Sequence, residues 1–180
     1  MITLICGTNR NGNETEQVTN IIYNLLINNT DEEVKVYRLT DLPKDLIHPD
    51  MYEEDGQVSS IAMVHDQFML PASRFWFVFP EYNGGVPGIL KLFLDAISVR
   101  DRKATFYGKK ACLTGVSSGR AGNLRGLDHL TNILNYLHVT VFPNRLPISS
   151  LKSLVNDSGQ LRDPYTTKVL ENQVKEFIKF

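Results

Sequence analysis

Short runs of consecutive apolar residues alternate along the chain with longer stretches in which apolar positions recur every three or four residues. The runs, and at 33–38 an apolar-polar alternation, predict strands near 2–6, 33–38, 74–79, 110–116 and 138–142. The periodic stretches predict helices near 14–28, 57–69, 87–98 and 122–137, and a last one from about 164 to 179. In the helix at 122–137 the stripe runs through Leu124, Leu127, Leu130, Leu134 and Leu137; in the last it uses Val169, Leu170, Val174, Phe177 and Ile178. Asp163-Pro164 supplies that last helix with an N-cap and a first-turn proline.

Five strands alternating with helices imply a parallel sheet covered on both faces, since each crossover is right-handed and helical. The chain is too short for the six-stranded dinucleotide-binding version, so the expected fold is a three-layer α/β/α sandwich with strand order 2-1-3-4-5. No linker, repeat or low-complexity stretch interrupts the alternation, and residues 1–180 read as one domain. In this order the switch point lies between strands 1 and 3, and ligands bind at the carboxyl ends of the strands there.

The most informative segment follows the third strand. The apolar run Phe75-Trp76-Phe77-Val78-Phe79 ends in Pro80-Glu81-Tyr82-Asn83-Gly84-Gly85-Val86-Pro87-Gly88. Gly84 and Gly85 allow positive φ and a close approach to the backbone, and Pro87 suits the first turn of the next helix. A connecting turn needs one or two such residues, so nine together point to a ligand loop. After the first strand, Gly7-Thr8-Asn9-Arg10-Asn11-Gly12-Asn13-Glu14-Thr15 feeds a helix N-terminus, a place that suits a phosphate. An N-capping loop with a solvated arginine explains the same residues, and this segment alone leaves both readings open. A third small-residue loop, Ser117-Ser118-Gly119-Arg120-Ala121-Gly122-Asn123, follows the fourth strand. There Ser117 and Gly119 are the expected contacts, through backbone N–H groups, while Arg120 and Arg125 are left unassigned.

Composition excludes several classes. With 42% hydrophobic and 22% charged residues and a net charge of −1, the balance argues against a nucleic-acid partner, which usually demands a basic face. No apolar run is long enough to span a bilayer, and Met1 leads straight into the first strand; the expectation is a cytoplasmic protein without membrane partners. Neither G-x-x-x-x-G-K-[ST] nor G-x-G-x-x-G occurs, which disfavours a P-loop or a bridging pyrophosphate. A G-x-S-x-G elbow is missing as well. His48, His65, His129 and His138 have no ligand spacing, so no metal is expected, and Cys6 and Cys112 read as buried small hydrophobes.

Taken together, the three loops resemble those of the NADPH-dependent FMN reductase family, which has a flavodoxin-like fold. The specific match is Pro80 to Lys91 against the family signature P-E-Y-N-x-x-x-P-x-x-L-K. Gly7-Thr8-Asn9-Arg10 with Asn13 and Thr15 is similar to the family's phosphate loop, with Thr8 and Asn13 standing where Ser is usual. The resemblance spans roughly residues 1 to 145. It implies a non-covalent FMN whose phosphate contacts Thr8, Arg10, Asn13, Glu14 (by its backbone N–H) and Thr15. The isoalloxazine would rest on Pro80, Glu81, Tyr82, Asn83 and Gly84. It also implies a homodimer or homotetramer, for which the apolar face of Ile89, Leu90, Leu92, Phe93, Leu94 and Ile97 is either the interface or sheet-facing core.

The implied activity is an NAD(P)H oxidoreductase that passes electrons through FMN to a small quinone, azo, metal or flavin acceptor. NAD(P)H is then a co-substrate, the hydride chemistry belongs to the flavin, and no catalytic side chain is nominated. Tyr82 as a proton relay and Glu81 as a base are weaker readings than packing and backbone contact. The alternative is an FMN-binding electron carrier or sensor without NADPH turnover; an α/β domain for another phosphorylated metabolite fits the second loop least. The polar segment from Leu42 to Gln57 has no assigned role.

Overall fold

A computed structural model describes residues 1–53, 57–156 and 161–180. Its strands are β1 (Ile2–Cys6), β2 (Val34–Arg38), β3 (Arg74–Pro80), β4 (Lys110–Val116), β5 (Thr140–Val141) and β6 (Leu146–Ile148). The helices are α1 (Thr15–Ile27), α2 (Ser59–Val64), α3 (Gly88–Val99), α4 (Arg102–Phe106), α5 (Leu124–Tyr136), α6 (Leu151–Leu154) and α7 (Pro164–Lys179). All strand pairs are parallel, in the expected order β2-β1-β3-β4-β5, and β6 also pairs with β4. α2 continues into a π turn over His65–Met69, closed by Leu70 N–H donating to His65 O at 2.9 Å.

β3 shows why the sheet is central. Its residues alternate between two apolar layers: Phe75, Phe77 and Phe79 face α3, α4 and α5, while Trp76 and Val78 face α1 and α7. All five side chains are fully buried. Leu90, Phe93, Leu94 and Ile97 of α3 belong to the first layer, which settles them as core rather than interface; Ile89 and Leu92 are only partly buried. On the other face a buried polar chain fixes α7. Trp76 Nε1 donates to Thr114 Oγ1 (2.9 Å), Thr114 Oγ1 to Gln173 Oε1 (3.2 Å), and Gln173 Nε2 to Asn144 O (2.7 Å).

The fifth sheet position departs from the expected single strand at 138–142. β5 pairs only with Lys110 and Ala111, and β6 resumes the position against Thr114 to Val116. Phe142 turns its ring onto Phe177 and Phe180, Pro143 has no N–H to offer, and Arg145 N–H closes a tight turn on Pro143 O at 2.9 Å. Between β2 and α2 the described residues make three short 3₁₀ turns, Leu39–Asp41, Lys44–Leu46 and Pro49–Tyr52. Leu46 and Met51 anchor this segment in the core; residues 54–56 of it lie outside the described residues. Among the described residues, no helix is long and apolar enough to cross a membrane.

Candidate functional site

The three loops leave the carboxyl ends of neighbouring strands. Gly7 N–H donates to Val78 O at 2.7 Å and Glu81 N–H to Val116 O at 3.3 Å, so the loops start in contact. A Cβ on Gly7 would stand 2.7 Å from Phe79 Cβ; only glycine lets the first loop pass this close to β3. Between the first and third loops, with the start of the second loop in its wall, lies a cavity of about 220 Å³.

Arg10, Gly12, Asn13, Glu14 and Thr15 supply its first wall. Asn13 builds the loop: its Nδ2 donates to Arg10 O (2.7 Å) and its Oδ1 accepts Glu16 N–H (2.8 Å), capping α1. The backbone N–H groups of Gly12, Asn13, Glu14 and Thr15 make no hydrogen bond within the described residues. They gather at the positive end of α1. Thr8 is placed differently from the expected phosphate contact. It is fully buried beneath the loop, outside the cavity wall, with Oγ1 2.8 Å from Tyr82 Oη and accepting Arg10 N–H at 3.3 Å. Cys6 lies under the same loop, 3.8 Å from Asn13 Oδ1, and burial pushes its thiol up.

Pro80, Glu81 and Tyr82 form the second wall. Tyr82 and Gly85 exchange both backbone hydrogen bonds at 3.1 Å, and between them Asn83 (φ 51) and Gly84 (φ 80) take left-handed conformations. This is a two-residue type I′ turn, for which Asn-Gly is the favoured pair. Asn83 and Gly84 stand exposed at its tip, outside the cavity wall. The turn leans on α5: Arg125 Nη1 lies 3.7 Å from Glu81 Oε1, and a Cβ on Gly85 would come within 3.0 Å of His129 Nδ1. Glu81 Oε2 is buried without a hydrogen-bond partner. Pro87 caps α3 from just outside its first turn, with Gly88 as the first helical residue.

Val116, Ser117 and Ser118 close the third side. Here the expected donors are already engaged. Ser117 N–H donates to Ile148 O (2.9 Å) and Gly119 N–H to Ser117 Oγ (2.9 Å), so neither amide is free. β6, unforeseen in the sequence, takes the first of them. Gly119 lies outside the wall, and Ser118 is the third-loop residue that lines it alongside Ser117. Sequence reasoning also missed Lys152 of α6, which completes the cavity with Nζ 3.6 Å from Glu14 Oε1. Its only sequence signal is a basic residue after the fifth sheet position.

The cavity therefore combines four unpartnered N–H groups with the two cations Arg10 and Lys152, a donor set that fits a phosphate dianion. Among the described residues no group of three or more His, Cys, Asp and Glu is arranged to hold a metal ion.

The family model for NADPH-dependent FMN reductase matches residues 1–151. An NAD(P)H-dependent FMN reductase of Pseudomonas aeruginosa is 30% identical over 131 residues, 69% of this chain and 69% of that protein. A 2-hydroxy-1,4-benzoquinone reductase of a Burkholderia species is 26% identical over 124 residues, 68% of each chain. Among solved structures, the Paracoccus denitrificans flavoenzyme FerB, an NAD(P)H:(acceptor) oxidoreductase, superposes with a TM-score of 0.82 at 19% identity. That likeness covers 99% of this chain and 94% of the other, and it bears on the fold alone. By family model and relatives alike, the chain belongs to the NADPH-dependent FMN reductase family, the flavodoxin-like, FMN-dependent oxidoreductases that use NAD(P)H.

Proposed function

We propose that the cavity between the first and third loops receives the phosphate of FMN and that the turn from Pro80 to Gly84 carries the isoalloxazine. One observation supports this most: four unpartnered amides, Gly12 to Thr15, share a cavity with Arg10 and Lys152 at the sheet's switch point. FMN, when bound, supplies the hydride chemistry between NAD(P)H and the acceptor. Arg10 and the amides of Gly12, Asn13, Glu14 and Thr15 bind the anionic end. Thr8 acts from below, holding Tyr82 and hence the turn, and Asn13 holds the loop's shape through its two hydrogen bonds. Asn83 and Gly84 present a turn with little side-chain bulk to the ring. The buried, unpartnered Glu81 Oε2 is an acceptor for a donor brought by the ligand. Tyr82 Oη is engaged by Thr8, which favours packing over a proton relay. Ser118, rather than the amides of Ser117 and Gly119, faces the ligand from the third loop.

The acceptor is a small quinone, azo compound, metal ion or free flavin, and the quinone named for the Burkholderia relative supports the first of these. The protein works in the cytoplasm as a homodimer or homotetramer. A groove of about 420 Å³ between α3 and α5, bearing Lys91, Asp95, His129 and the 73% exposed Tyr136, is the surface offered to a second copy.

The test is the visible spectrum of the protein with FMN under anaerobic conditions. A bound-flavin spectrum that bleaches with NADPH and returns with benzoquinone is expected. A bound spectrum that persists with both NADPH and NADH overturns the reductase reading, and no binding overturns the site.

A further inference from the structure

The cavity's second cation, Lys152, comes from α6 rather than from any of the three loops. We propose that Lys152 is a binding residue of the anion site, acting together with Arg10 and selecting phosphorylated over unphosphorylated flavin. The proposal rests on the placement of the FMN phosphate given above.

The fold holds Lys152 in position although its side chain is 80% exposed. Its neighbour Leu151 is fully buried in the layer beneath α1 and α7. Leu151 N–H donates to Ser117 O (3.3 Å) and Ser150 N–H to Gly119 O (3.2 Å), tying the start of α6 to the third loop. The backbone that carries Lys152 is thus fixed at the cavity, while its exposed side chain can reorient. At present the ammonium faces Glu14, 3.6 Å away. An ion pair this exposed is worth little, so breaking it costs little. A phosphate carries up to two charges and three acceptor oxygens against the single charge of a carboxylate. Lys152 is therefore parked on Glu14 and transfers to the phosphate when the anion enters. Glu14 has two opposed effects: its backbone N–H attracts the anion, while its carboxylate competes for Lys152 and repels the phosphate.

The test titrates the apoprotein with FMN and with riboflavin, read by flavin fluorescence quenching at two salt concentrations. Lys152→Ala is expected to weaken FMN binding about tenfold, roughly 1.4 kcal/mol, and to leave riboflavin binding unchanged. The salt sensitivity of FMN binding should fall with it. Glu14→Gln is expected to tighten FMN binding a few-fold, and much less so when combined with Lys152→Ala. If Arg10→Ala weakens FMN binding and Lys152→Ala does not, Lys152 is no part of the site and the proposal fails alone. If neither variant changes FMN affinity, or the wild type binds FMN and riboflavin equally, the phosphate placement itself fails.

Discussion

Thr8 Oγ1 lies 2.8 Å from Tyr82 Oη, and this contact joins the loop after β1 to the loop after β3. Thr8 is fully buried, so its hydroxyl has no recourse to water when the partner is removed. Tyr82→Phe leaves it with Arg10 N–H alone, at a cost of about 1–3 kcal/mol. Thr8→Val removes the same bond from the other side. Urea denaturation of both single variants and the double variant should show less than additive losses, with a coupling of about 0.5–3 kcal/mol. Strict additivity would contradict the link between the loops.

Gly84 meets a conformational limit rather than a steric one. An added Cβ would have its nearest contact at 3.8 Å, on Arg125 Cδ, but φ is +80°. Gly84→Val should destabilise the protein by at least about 1 kcal/mol and weaken FMN binding, because the branched residue reshapes the turn. Gly88→Ala is the control: a Cβ there enters open space, without the positive φ, and FMN binding should hold. Normal FMN affinity and stability in Gly84→Val would contradict the placement of the ring on this turn.

Arg10 is exposed and no ion pair engages it among the described residues, so its removal should not disturb the fold. Arg10→Ala should weaken FMN by about ten- to a hundredfold, about 1.4 kcal/mol per decade, with unchanged thermal stability of the apoprotein. Isothermal titration distinguishes this from a loss of folded protein.

Lys109, at the opposite end of the sheet, gives a pH signature. Its Nζ donates to Met69 O (3.1 Å) and Leu70 O (2.8 Å) next to the π turn, and burial lowers its pKa from 10.5 to about 8. Between about pH 8 and 10.5 the unfolded chain then carries more protons at this site than the folded one. Stability contributed by this residue rises with pH across that window and is flat below it. The difference in urea midpoint between wild type and Lys109→Met should shift in that direction from pH 7.5 to 10. A difference constant across that range contradicts the lowered pKa.

Cys6 and Cys112 are free, and burial raises both thiols, Cys112 strongly. Neither should react with a thiol reagent at neutral pH in the native protein, and both should titrate in urea. Rapid labelling of Cys6 in the native state would contradict the closed first loop above it.

The strand order was legible because β1, β3 and β4 are rich in apolar residues and helical periods follow β1, β3 and β4. The second loop was legible because Asn83-Gly84 between Tyr82 and Gly85 specifies one turn type. What escaped depends on long-range pairing. Leu146-Pro147-Ile148 is too short and contains a proline, so nothing local marks it as a strand; only β4 beside it makes it one. The same pairing takes the Ser117 N–H that sequence reasoning assigned to the ligand. Thr8 looked like a cavity hydroxyl because the sequence does not reveal that Tyr82 reaches back to it. Lys152 had no pattern at all, since a single lysine gains meaning only from the fold that brings it beside Glu14.

The most direct measurement is a crystal structure of the chain with FMN. The phosphate should lie within hydrogen-bond reach of the Gly12 to Thr15 amides and beside Arg10, with the ring against Pro80 to Gly84. Density for the phosphate anywhere else, such as the groove between α3 and α5, would contradict the account.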